Sequence, residues 1–197
     1  MLIIAVTDRR QSVRPLPEQV RLIASAGADM VVLREKDLPD EELIPLATLV
    51  KKECDEYGAR FCMDGPVSAA RAVGADTVWL PFDVFKKGRP EFDAVGTSIH
   101  SETEGIEAER LGADFLVYGN VFETSCKPGK PAKGLSEMRR LIGRVDVPVY
   151  AIGGIGPGNV AEVRDAGASG ACLMSGLMTA EDPASTMGDL RRSLRYG

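Results

Sequence analysis

The chain has 197 residues, 44% of them apolar and 27% charged, which suits one folded domain with a full core and excludes a disordered or low-complexity protein. A formal net charge of −5 argues against a nucleic-acid surface. No run of 18 apolar residues and no cleavable leader pattern is present, so no membrane partner and a cytoplasmic location are expected.

Short apolar runs alternate with helix-period segments from end to end. Strands are expected at 2–7, 30–33, 60–63, 77–80, 95–100, 115–118, 148–152 and 171–174. Helices are expected at 17–26, 40–57, 67–73, 102–111, 136–145, 159–166 and 183–195, with only a short stretch near Phe92 between the fourth and fifth strands. Continuous apolar strands separated by helices indicate a buried parallel sheet, and eight such units indicate closure into an α/β fold, a (β/α)8 TIM barrel in a single domain over 1–197. An open doubly wound sheet is the alternative, but the first strand lacks a GxGxxG turn. A weak repeat at 27–29, 74–76, 112–114 and 167–169 (GAD, GAD, GAD, GAS) closes four helices with a glycine stop.

In such a barrel the chemistry is written where strands end. Gly153-Gly154 follows the seventh strand and Ser175-Gly176 the eighth, offering bare backbone N–H groups side by side as a seat for a phosphate. An acidic protein must place positive charge locally to hold an anion, and Arg34, Lys36 and Lys127 at strand ends supply it. Asp64 and Asp83 end adjacent strands; they are either solvated loop aspartates or a two-carboxylate site for Mg2+ bridging a diphosphate.

His100, the only histidine, is either a general base or a structural residue that holds Ser98 or a nearby carbonyl. Trp79 is expected to pack between the barrel and its helices. Cys54, Cys62 and Cys172 are expected to be reduced core thiols, whereas Cys126 lies in a polar loop beside Lys127, where a cation can activate a thiol.

The strings TDR at 7–9, LREK at 33–36, SIHS at 98–101, GNVFETSCKPG at 119–129, AIGGIGPGNV at 151–160 and LMSG at 173–176 resemble, in order and spacing, the thiamin phosphate synthase/TenI family. The resemblance covers essentially the whole chain and implies a barrel that binds a thiazole phosphate at the seat made by Gly153, Gly154, Ser175 and Gly176. It implies two possible chemistries. A synthase joins a pyrimidine diphosphate to the thiazole phosphate with Mg2+, using Arg34, Lys36, Asp64, Asp83, Ser98, Thr124 and Lys127. A TenI-like enzyme isomerises a thiazole carboxylate phosphate to its aromatic tautomer, and the loop strings FETSCKPG and LMSG make this the first expectation. The departures fall on both sides. Val32, Met63 and Cys126 stand where a synthase has glutamine, asparagine and threonine, and Asn120 stands where the tautomerase has its proton-transfer histidine. An amide has no useful basicity, so Asn120 would face the ring and His100 or Cys126 would serve. A non-catalytic thiazole or thiamin phosphate binder is the third expectation. No organic cofactor is implied, the partner is a small phosphate substrate, and a homodimer is the assembly carried for so small a barrel.

Overall fold

The computed structural model describes residues 1–124, 129 and 131–196. Eight parallel strands, β1 (Leu2–Val6), β2 (Met30–Leu33), β3 (Arg60–Met63), β4 (Thr77–Leu80), β5 (Ala94–Ile99), β6 (Phe115–Gly119), β7 (Val149–Ile152) and β8 (Gly170–Leu173), close into a barrel in chain order. Closure is made by β8 against β1, with Leu2 opposite Gly170 and Ile4 opposite Cys172. Around it lie α1 (Leu16–Ser25), α2 (Asp40–Tyr57), α3 (Val67–Ala72), α4 (Phe82–Phe85), α5 (Glu102–Arg110), α6 (Gly134–Ile142), α7 (Val160–Asp165), α8 (Ser175–Met178) and α9 (Pro183–Tyr196).

The strands separate two cores by the alternation of their side chains. Ile3, Ala5, Val31, Leu80 and Leu116 face the helices, whereas Ile4, Val6, Met30, Val32, Cys62, Phe115, Val117, Tyr150 and Cys172 fill the interior. Trp79 belongs to the interior group, which corrects the expectation that it packs between barrel and helices. Near the N-terminal ends of the strands Phe115 and Tyr150 stack with centroids 5.1 Å apart. Room for these rings comes from glycine: a Cβ on Gly96 would meet the Phe115 ring at 2.0 Å, and one on Gly170 the Tyr150 ring at 2.9 Å. Large residues thus sit opposite absent side chains, so the interior is a packed plug there.

The glycine stops of the repeat behave as expected, with φ between 63° and 93° at Gly27, Gly74, Gly112 and Gly167. Two short helices depart from expectation. The one between β4 and β5 is α4, which begins immediately after Pro81 and not near Phe92, so Asp83 lies within a helix. The other, α8, starts at Ser175 with no periodic signal long enough to announce it.

Candidate active site

One cavity of about 1050 Å³ opens at the C-terminal ends of the strands. Its wall contains Arg34, Lys36, Asp64, Asp83, Ser98, His100, Asn120, Thr124, Gly153, Gly154, Ser175 and Gly176. Twelve residues singled out from sequence therefore come together; Lys127 and Cys126 lie outside the described residues.

The strand 1 and strand 2 loops build one side. Thr7 Oγ1 donates to Glu35 Oε1 at 2.8 Å and accepts from the Arg34 N–H at 2.9 Å. Arg9 donates to Glu35 through its N–H and its Nη1, both at 3.0 Å. The same guanidinium donates to both Asp37 oxygens at 2.7 and 2.6 Å, and Arg10 adds a third bond at 2.7 Å. These hydrogen bonds hold the Asp37 carboxyl well below the usual carboxylate range. Glu35 is buried, and sequence reading passed it over because one letter inside LREK does not say which neighbour it meets. Arg34 and Lys36, on either side of Glu35 in sequence, line the cavity.

Arg34 Nε stands 3.4 Å and Lys36 Nζ 3.7 Å from the carboxylate of Asp64. Asp64 is buried, and that burial pushes its pKa up although Lys36 and Arg34 pull the other way. Buried Asp64 and exposed Asp83 share this wall, and two carboxylates there could hold a cation. Among the described residues no three His, Cys, Asp or Glu side chains gather as a metal cluster, so any metal here would draw its other ligands from substrate and water.

The opposite arc is made of backbone. Gly153 and Gly154 adopt φ of 105° and 67°, closed to most side chains. A Cβ on Gly153 would fall 2.5 Å from Asn120 Cβ, and one on Gly154 2.4 Å from the Glu123 carbonyl oxygen. The glycine pair is thus required where the loop after β7 lies against the loop after β6, a demand separate from any ligand. Asn159 clamps the same turn: its Oδ1 accepts from the Gly156 N–H and its Nδ2 donates to the Gly154 carbonyl, both at 2.8 Å. Among the described residues the N–H groups of Gly153, Gly154 and Gly176 donate to no acceptor. Ser175 Oγ donates to Gln11 Oε1 at 2.6 Å, which brings Gln11 to the cavity wall, a residue with no motif to betray it.

Between the arcs, His100 Nδ1 lies 3.0 Å from the Gly119 carbonyl oxygen, the structural alternative raised from sequence. Asn120 is buried and its Nδ2 donates to the Phe122 carbonyl at 3.1 Å. Ser98 Oγ accepts from Trp79 Nε1 at 2.8 Å. Val32 packs in the barrel interior and Met63 in the outer core, so neither offers a polar group to a ligand. Burial pushes Cys54 up to about 12 and raises Cys62 and Cys172 as well, as core thiols should be.

A closed parallel barrel whose polar residues converge on a cavity at the C-terminal strand ends defines the class of (β/α)8-barrel enzymes. Residues 3–177 match the family described as thiamine monophosphate synthase. The chain is 36% identical over 192 residues to the thiamine-phosphate synthase of Pyrococcus furiosus, covering 95% of this chain and 91% of that one. It is 35% identical over 192 residues to that of Pyrococcus horikoshii, with the same coverage. A solved structure of thiamine phosphate pyrophosphorylase from Pyrococcus furiosus superposes with a TM-score of 0.87 at 34% identity, covering 98% of this chain and 95% of that one. The chain belongs to the thiamine monophosphate synthase family of thiamin-biosynthesis enzymes.

Proposed function

We propose that this chain is a working thiamine-phosphate synthase, which joins a pyrimidine diphosphate to a thiazole phosphate and releases inorganic diphosphate. This reverses the order of the two chemistries expected from the loop strings, where tautomerisation came first. The observation that carries the reading is the division of the cavity into two arcs that each suit an anion: Arg34, Lys36, Asp64 and Asp83 from β2 to α4, and the glycine turns after β7 and β8. A tautomerase acting on a thiazole carboxylate phosphate has a phosphate and a carboxylate to hold, but no diphosphate to place on the first arc. The names of the full-length relatives point the same way.

The chemistry also fits position 120. In the coupling the C–O bond to the diphosphate breaks and its electron pair leaves with the oxygen. The lone pair of the thiazole nitrogen then forms the new C–N bond to the pyrimidine methylene carbon. No proton moves, so an amide at Asn120 is no handicap, whereas tautomerisation requires a base. Arg34 and Lys36 would bind the diphosphate oxygens, Ser98 and Thr124 would hydrogen-bond beside them, and the resemblance assigns a further positive charge to Lys127, outside the described residues. The Gly153, Gly154 and Gly176 N–H groups with the Ser175 hydroxyl would hold the thiazole phosphate, and Asn120 would face the ring. Asp64 and Asp83 would hold Mg2+, which when bound supplies neutralisation of charge on the departing diphosphate.

One observation favours tautomerisation as a second reading: His100 lines the cavity, and among the described residues only one of its ring nitrogens has a partner, the Gly119 carbonyl. The test is a pair of incubations of purified protein with the pyrimidine diphosphate and Mg2+, one with the thiazole phosphate for coupling and one with the thiazole carboxylate phosphate for tautomerisation, with products separated and identified by mass. Thiamin phosphate above the no-enzyme control is expected. Accumulation of the aromatic thiazole tautomer alone would replace the synthase by the tautomerase, and neither product would leave a binding protein.

A further inference from the structure

Trp79 is the only tryptophan of the chain, is 4% exposed in the barrel interior, and reaches the cavity wall with Ser98. Its Nε1 stands 2.8 Å from Ser98 Oγ. An indole N–H can only donate, whereas a hydroxyl both donates and accepts. The pair occupies one lone pair of Ser98: its oxygen accepts from Trp79, and its proton turns elsewhere, toward any anion that comes within reach. Among the described residues Ser98 Oγ donates to no acceptor, so the proton is left for the cavity. Ser98 lies one residue before the end of β5, next to β4, on the cavity wall between the two arcs.

We infer that Trp79 is a positioning residue for the coupling reaction: it locks the Ser98 hydroxyl as a hydrogen-bond donor to an anionic oxygen of the bound diphosphate group. This rests on the synthase reading. Without the indole N–H, Ser98 is free to rotate and offer lone pairs to an anion that repels them. A hydrogen bond to a charged group contributes enough that its loss weakens binding by roughly tenfold or more.

The test is a double-mutant cycle on inorganic diphosphate binding in the presence of Mg2+, measured by calorimetry on the wild type, Trp79→Phe, Ser98→Ala and the double variant. The expected result is about a tenfold weaker Kd for Trp79→Phe, with little further weakening when it is added to Ser98→Ala. A Trp79→Phe effect that is absent, or equally large in the Ser98→Ala background, overturns the inference. Wild-type protein that binds no diphosphate defeats the synthase reading itself, a distinct outcome. Should Trp79→Phe not fold, the tryptophan serves as its own reporter: diphosphate should shift its emission in the wild type and shift it less in Ser98→Ala, and equal shifts overturn the inference.

Discussion

Gly153 lies so close to Asn120 that a methyl group on it would come within 2.5 Å of the Asn120 Cβ. The left-handed φ of 105° at Gly153 adds a second objection to any side chain. Gly176, by contrast, has open space where a Cβ would stand. Gly153→Ala should therefore cost about 1–3 kcal/mol of stability, while Gly176→Ala should stay within about 0.5 kcal/mol of wild type. Thermal unfolding of the two variants side by side decides it, and equal midpoints would contradict the packing of the two loops.

For the same reason a bulky residue at Gly154 tests the fold as much as the phosphate seat, since it drives into the Glu123 carbonyl. Ser175 is the cleaner position. Ser175→Leu should keep the fold and lose affinity for a thiazole phosphate by at least about tenfold, because the larger side chain intrudes on the phosphate seat and leaves Gln11 Oε1 without its donor. Calorimetric titration with circular dichroism on the same sample checks both halves.

Asp64→Asn should separate activity from stability. The variant removes a buried charge whose partners, Arg34 and Lys36, are themselves partly exposed and can be hydrated. Turnover should fall by about 10² to 10³, a usual loss when one electrostatic stabiliser of developing charge is removed. The thermal midpoint at neutral pH should not fall. A large loss of stability would mean that Asp64 serves mainly to anchor the loop after β2.

The clasp between Arg9 and Asp37 carries a pH signature. Hydrogen bonding to Arg9 depresses the carboxyl in the folded protein below its ordinary value of 3.8. The unfolded chain then takes up the proton first as pH drops. The stabilisation is therefore complete above pH 3.8 and is lost as pH falls toward the depressed folded value. Urea unfolding of wild type and Asp37→Asn should differ at pH 7 and converge in acid, and added salt should shrink the difference. A gap that widens in acid would have the wrong sign.

Cys54, Cys62 and Cys172 are buried, and burial keeps all three in the unreactive thiol form. They should resist an aromatic disulfide reagent in the native protein at pH 8 and react once denaturant is added. Rapid native labelling at any of them, located by peptide mapping, would contradict the core described above.

Much of the barrel is legible in the sequence because strand ends coincide with chemistry: apolar runs stop at Arg34, Asp64, His100 and Gly153, and each is found on one cavity wall. Side assignment is harder. A strand buried on both faces, such as Thr77–Leu80, carries no polar alternation, so nothing in TVWL says whether Trp79 points inward. Four-residue helices such as Phe82–Phe85 are too short to show a period, which is why the segment near Phe92 drew attention instead. Glu35 is illegible for another reason: its partners Thr7 and Arg9 are 28 and 26 residues away, and only the parallel pairing of β1 with β2 brings them together.

The stacked pair Phe115 and Tyr150 makes the barrel a vessel with a sealed base. Every molecule that enters the cavity must leave by the rim it came through. In the proposed synthase both substrates and both products would share that one doorway.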